Sequence, residues 1–134
     1  MKRFLLVCTA LFVGSAVSAD NLAGVTEMVC STARAQICFE TGECFASAPW
    51  ELNIPDFVVI DTKKKTIRTT KSSAQNRSTS FTRVETGDRS ITLQGVDVGA
   101  FSLVIDVVTG RLTGAIARDG MSVSVFGACT GTKL

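Results

Sequence analysis

Phe101-Ser102-Leu103-Val104-Ile105-Asp106-Val107-Val108-Thr109-Gly110, continued by Arg111 to Gly120 and by Met121-Ser122-Val123-Ser124-Val125-Phe126, is the stretch that decides the fold. Phe101, Leu103, Ile105 and Val107 fall on one side of an extended chain, as do Met121, Val123 and Val125, while Ser102, Asp106, Ser122 and Ser124 fall on the other. Successive side chains of a strand point to opposite faces, so this alternation predicts strands with one packed face and one wet face. Thr109-Gly110 and Asp119-Gly120 supply tight turns between them.

Outward from that stretch the same pattern continues. Ile91 to Val96 alternates as Ile91/Leu93 against Thr92/Gln94, and Phe81 to Val84 precedes it across Thr86-Gly87-Asp88. Phe57 to Asp61 and Thr66 to Thr70 predict a hairpin with a lysine tip, Lys63-Lys64-Lys65. Ser72 to Ser80 is polar, with no apolar residue larger than Ala74, and predicts an exposed loop. Pro49 and Pro55 bracket Trp50 to Ile54, which reads as an edge strand or an extended crossing. Ala35 to Phe39 and Cys44 to Ala48 predict a further hairpin, and Thr26 to Cys30 reads equally as a strand or a helix end. Eight or nine short strands joined by hairpins predict an all-β fold, a small antiparallel up-and-down β-barrel with a lipocalin-like meander, with a β-sandwich as the alternative. The inward set is large in volume, which points to a filled core.

The chain has five cysteines. Cys8 lies in the apolar run Phe4 to Val13, which follows Met1-Lys2-Arg3 and precedes Val17-Ser18-Ala19. These are the regions of a secretory signal peptide, so residues 1–19 are expected to be cleaved and residues 20–134 to form a single β domain. Cys30, Cys38, Cys44 and Cys129 then remain, an even number that suits two disulfides in an oxidising compartment. Cys38 and Cys44 flank a short loop containing Gly42, so they face each other across a hairpin, and Cys30 is left for Cys129. That second bond would put the first and last strands side by side, as barrel closure requires. Cys38-x5-Cys44 is not the spacing of a thiol oxidoreductase or a zinc site.

Without the signal the formal charge is zero, but it is unevenly spread. Residues 20–62 carry a net −6 and residues 63–89 a net +6. Lys63, Lys64, Lys65, Arg68 and Lys71 are therefore a candidate surface for an anionic partner, although charges on adjacent strands can also simply pair. Trp50, the only Trp, lies near Phe45 and Phe57 in sequence, and it reads as the plug of a barrel end or as a ligand or partner surface.

The chain contains no His and no Tyr, which removes the usual general base and the common metal ligand sets. Glu40 and Glu43 read as solvated turn residues, and Asp56 and Asp61 lack the ligand spacing of a calcium loop. The sequence therefore offers no catalytic residue, metal site or cofactor, and the expectation is no enzyme. Export and the lack of interleaved aromatics also argue against nucleic acid.

The signal peptide, the cluster Cys30/Cys38/Cys44, Phe101 to Asp106 followed by Thr109-Gly110, and the terminal Gly127-Ala128-Cys129 resemble small secreted or periplasmic bacterial β-proteins with an N-terminal Cys cluster and a C-terminal Gly-x-Cys. The resemblance implies a disulfide-stapled β-barrel in the periplasm and no particular activity. The functional expectation is a non-enzymatic binding or interaction module of the cell envelope with an envelope or protein partner. The alternative is a lipocalin-like carrier of a small apolar ligand.

Overall fold

The computed structural model describes residues 21–132, and the signal-peptide reading of residues 1–19 lies outside them. Ten strands follow in order: β1 (Glu27–Phe39), β2 (Cys44–Ser47), β3 (Phe57–Asp61), β4 (Thr66–Thr69), β5 (Ser78–Ser80), β6 (Arg83–Thr86), β7 (Ser90–Val96), β8 (Ala100–Asp106), β9 (Arg111–Arg118) and β10 (Met121–Gly131). All pairings are antiparallel, in the order β5-β4-β3-β1-β10-β9-β8-β7-β6, with β2 added beside the second half of β1. The sheet curls into a half-barrel, so the chain is all-β as its alternation predicts.

The first and last strands meet as expected. β1 pairs with β10 from Met28 opposite Gly131 to Phe39 opposite Met121, and a disulfide joins Cys30 to Cys129 in that ladder. A second disulfide joins Cys38 to Cys44, which face each other across the β1–β2 hairpin. Gly42 in its loop takes φ +91°, a conformation that glycine adopts without a Cβ penalty.

The register of β1 shifts between Thr32 and Arg34. One extra residue, Ala33, is accommodated there as a β-bulge, and the alternation changes parity across it. Met28 and Cys30 face the core before the bulge, Ala35 and Ile37 after it, so Cys38 faces outward although it stands an even number of residues from Cys30.

The core fills one end of the curl. Leu22, Met28, Ile60, Leu93, Ile105 and Leu112 are buried there around Cys30 and Cys129. Each large aliphatic side chain so buried contributes about 1.5–3 kcal/mol, which makes this cluster the main source of stability. Leu22 is drawn in from ahead of β1, and its N–H donates to the Val107 carbonyl at 2.8 Å. The β8–β9 turn at that end is built on Asp106, whose carboxylate accepts the Thr109 N–H at 2.7 Å, the Thr109 hydroxyl at 2.9 Å and the Val108 N–H at 3.0 Å. These bonds, those from Thr109 foremost, hold its pKa below the ordinary range for Asp.

Three expectations need correction. Pro49–Leu52 is a 3-10 turn, neither an edge strand nor an extended crossing, and Asn53 closes it in the left-handed region at φ +59°. Within the polar stretch 72–80, Ser78–Ser80 forms β5, because Ile67 and its neighbours in β4 offer a pairing edge that compensates for poor propensity. The strand expected at Phe81 to Val84 begins at Arg83, with Phe81 buried as a corner.

That corner bears on closure. No ladder joins β5 to β6, the two sheet edges, yet they are consecutive in the chain. The Phe81 N–H donates to Lys65 beside β4, while the next N–H, of Thr82, donates to Gln94 in β7. The backbone changes partner between these two residues, and a seam is left below them.

Candidate functional site

An apolar cleft of about 430 Å³ opens on that seam, inside the curl and away from the filled end. Its floor is the inner row of β8 to β10, with Phe101, Leu103, Ile116 and Val125. Val58 and Ile67 form the facing wall, from β3 and β4. The sequence reading of a filled core is thus met at one end only, since Phe101, Leu103 and Met121 remain partly exposed. Two glycines give the floor its shape: a Cβ on Gly114 would meet Leu103 Cδ2 at 2.7 Å, and one on Gly95 would meet the Phe101 ring at 2.6 Å.

The 3-10 turn and the residues after it cover the cleft from the side. Leu52 and Ile54 pack against Ala35, Val123 and Val125. The turn is fixed by Glu51, which accepts the Ser47 hydroxyl at 2.8 Å and the Ala48 N–H at 3.0 Å. The Ser47 bond, and then the Ala48 bond, lower the Glu51 pKa from its ordinary value. Thr32, beside the bulge, donates through its hydroxyl to the Pro55 carbonyl at 2.7 Å and so ties the end of this segment to β1.

Besides Thr32, the polar residues lining the cleft are Asn53, Arg77, Thr79, Asp97 and Arg118. Arg77 donates through Nη1 to the Asn53 carbonyl at 2.6 Å, spanning from the start of β5 to the end of the 3-10 turn. Arg118, at the end of β9, lies against the bare Cα of Gly99, where an added Cβ would come within 2.6 Å of Arg118 Cγ. Asp97, in the β7–β8 turn, accepts the Thr79 hydroxyl at 3.0 Å across the seam.

The residues singled out from sequence are not gathered in one place. Trp50 is 66% exposed and plugs nothing, since Leu52 and Ile54 take the covering role expected of it. Phe45 shares the inner row with Ile37 and meets Phe39 edge-on at 6.4 Å, whereas Phe57 pairs with Ser31 on the outer row. These aromatics therefore lie on opposite faces of the sheet.

The lysine tip forms as expected. Asp61 is buried, and its carboxylate accepts the Lys63 and Lys64 N–H groups at 3.0 and 2.9 Å, turning the chain and leaving Lys63, Lys64 and Lys65 exposed. Arg68 is paired with Glu27 at 3.4 Å, an instance of acidic and basic segments pairing across the sheet. Lys71 lies apart, in the turn after β4.

Sequence reading missed Ile116 and Arg118. The signal was Leu112-x-Gly114-x-Ile116-x-Arg118, a period-two row that continues the inner face of β9 to its end. Leu52, Ile54 and Arg77 carried no comparable signal. Among the described residues no group of His, Cys, Asp or Glu is placed to hold a metal ion. No family model, curated protein or solved structure matches the chain.

Proposed function

We propose that this protein is a non-enzymatic, exported binding module of the cell envelope, and that it carries a small apolar ligand in the cleft of the half-barrel. The cleft carries the reading: about 430 Å³ of space walled by Val58, Ile67, Phe101 and Ile116, with few polar groups in its lining. That size lies within the roughly 300–1,000 Å³ typical of small-molecule sites, which are mostly apolar with a few placed polar groups. Two disulfides support an oxidising compartment such as a periplasm. No helix among the described residues is long and apolar enough to cross a membrane. In this reading a full barrel forms around the ligand, with the seam between the β5 and β6 edges drawn together.

The test is saturable binding of the neutral fluorophore N-phenylnaphthylamine. Ile116→Gln places a polar amide in the cleft wall and is expected to weaken binding roughly tenfold, since an unsatisfied buried polar group costs about 1–3 kcal/mol. Val104→Gln, on the outer face of β8, is expected to leave binding unchanged. Non-saturable binding, or equal affinity in the two variants, would remove the cleft from consideration.

The lysine tip supports a second surface, for an acidic envelope partner. Lys63 and Lys64 are exposed and, among the described residues, neither forms an ion pair. Binding of an acidic polymer such as heparin should fall steeply between low and physiological salt and be lost in Lys63→Gln/Lys64→Gln/Lys65→Gln. Retention by the triple variant equal to that of the parent would rule this surface out.

A further inference from the structure

The rim of the cleft carries more positive than negative charge, and its positive groups are unneutralised. Among the described residues the salt bridges are Arg68 with Glu27 and Arg83 with Glu85, so neither Arg77 nor Arg118 has a carboxylate partner. Asp97, the one acid of the rim, is hydrogen-bonded to Thr79 and lies within ion-pair distance of neither. The Arg77 guanidinium is anchored by a hydrogen bond, and the stem of Arg118, an exposed residue, is placed beside Gly99. The Arg77 anchor runs through Nη1 to Asn53, which leaves its Nε and Nη2 donors for another acceptor.

A guanidinium presents a rigid fork of donors that matches carboxylate and phosphate oxygens, and it forms stronger hydrogen bonds to an anion than to a neutral acceptor. Two such groups lining an apolar cleft, one of them anchored, fit one kind of molecule: an apolar chain ending in an anionic head. From this charge complementarity we infer that the ligand is a single-chain anionic amphiphile, its chain lying between Ile67 and Phe101 and its head between Arg77 and Arg118. This deepens the carrier reading and rests on it. The glycines at 95 and 114 keep the floor clear, since each removes a Cβ that would crowd Phe101 or Leu103, whereas a Cβ on Gly99 would meet the Ala117 carbonyl oxygen at 2.5 Å before the Arg118 stem.

The experiment is displacement of N-phenylnaphthylamine from the full domain by four ligands sharing one chain: decanoate, decyl phosphate, decanol and decyltrimethylammonium. At least one anion is expected to bind roughly tenfold more tightly than decanol, in line with a charge-assisted hydrogen bond, and the cation most weakly. The tighter anion identifies the head as carboxylate or phosphoryl. Each methylene added to the chain should tighten binding about three- to fourfold until the cleft is full.

Arg118→Gln, which removes no hydrogen bond of the folded chain, should reduce the preference for the anion over decanol. Arg77→Gln/Arg118→Gln should abolish that preference. Equal binding of anion, alcohol and cation, or an unaltered preference in both variants, overturns the inference and leaves the carrier reading standing. Failure of all four ligands to displace a bound probe overturns the inference alone, whereas failure of the probe itself to bind overturns both.

Discussion

Replacing Cys30 and Cys129 together by alanine is expected to lower the unfolding free energy by about 4–5 kcal/mol, while replacing Cys38 and Cys44 should cost only about 2 kcal/mol. The two bonds resemble each other locally, each joining residues directly opposite on neighbouring strands. They differ in what they deny the unfolded chain: the first spans 99 residues of sequence and the second six. In the chain-entropy account the longer loop loses more freedom when closed, so the gap comes from the unfolded state. Burial acts in the same direction, since Cys30 is fully enclosed in the main core and Cys44 is exposed. Small domains are stable by only about 5–15 kcal/mol, so the first variant should be close to unfolding at body temperature and the second should not. Urea midpoints of the two double variants decide the matter. Equal losses, or a larger loss from Cys38→Ala/Cys44→Ala, would show that loop length does not govern stability here.

Both disulfides were legible in the sequence because a hairpin loop with Gly42 selects its own flanking cysteines and leaves the other pair. The strands from β7 to β10 were legible for a related reason: one face is packed and the other wet, and a period of two then appears directly as Ile91/Leu93, Phe101/Leu103/Ile105 and Met121/Val123/Val125. The bulge at Ala33 was hidden, because nothing in Thr32-Ala33-Arg34 marks a change of parity, which exists only against the straight register of β10. β5 was hidden because Ser78-Thr79-Ser80 becomes a strand through its neighbour, not through its own preference. The cleft combines both problems. It lies where the chain changes partner at Phe81-Thr82, a long-range event, and its covering residues Leu52 and Ile54 come from a turn that its flanking prolines made look extended. Its rim arginines are separated by some forty residues, so no local motif could have joined them. The exposed Trp50 shows the converse, a residue conspicuous by type but not by placement.

Gly127→Ala is expected to destabilise the protein by about 3 kcal/mol or more, at the upper end of what overpacking usually costs, because the obstacle is backbone and cannot rotate away. Gly127 stands opposite Thr32, at the edge of the bulge. A Cβ there would land on the Ser31 carbonyl oxygen and lie 2.9 Å from the Ser31 carbonyl carbon and 3.3 Å from Thr32 Cα. Two responses are open to the chain. It can part β1 from β10, losing ladder hydrogen bonds worth about 1 kcal/mol each and pulling on the Cys30–Cys129 bond two residues away. Alternatively it can expel Ala33 and restore straight pairing, but a one-residue slip turns either Met28 and Cys30 or Ala35 and Ile37 out of the core. Gly87→Ala is the control, since its Cβ would meet only the Ser90 carbonyl oxygen at 3.6 Å, an ordinary contact. Urea unfolding should therefore show a large fall in midpoint for Gly127→Ala and almost none for Gly87→Ala. If the two variants unfold together, β1 and β10 are not held at this distance and the bulge does not set the parity that separates the filled end of the curl from its cleft.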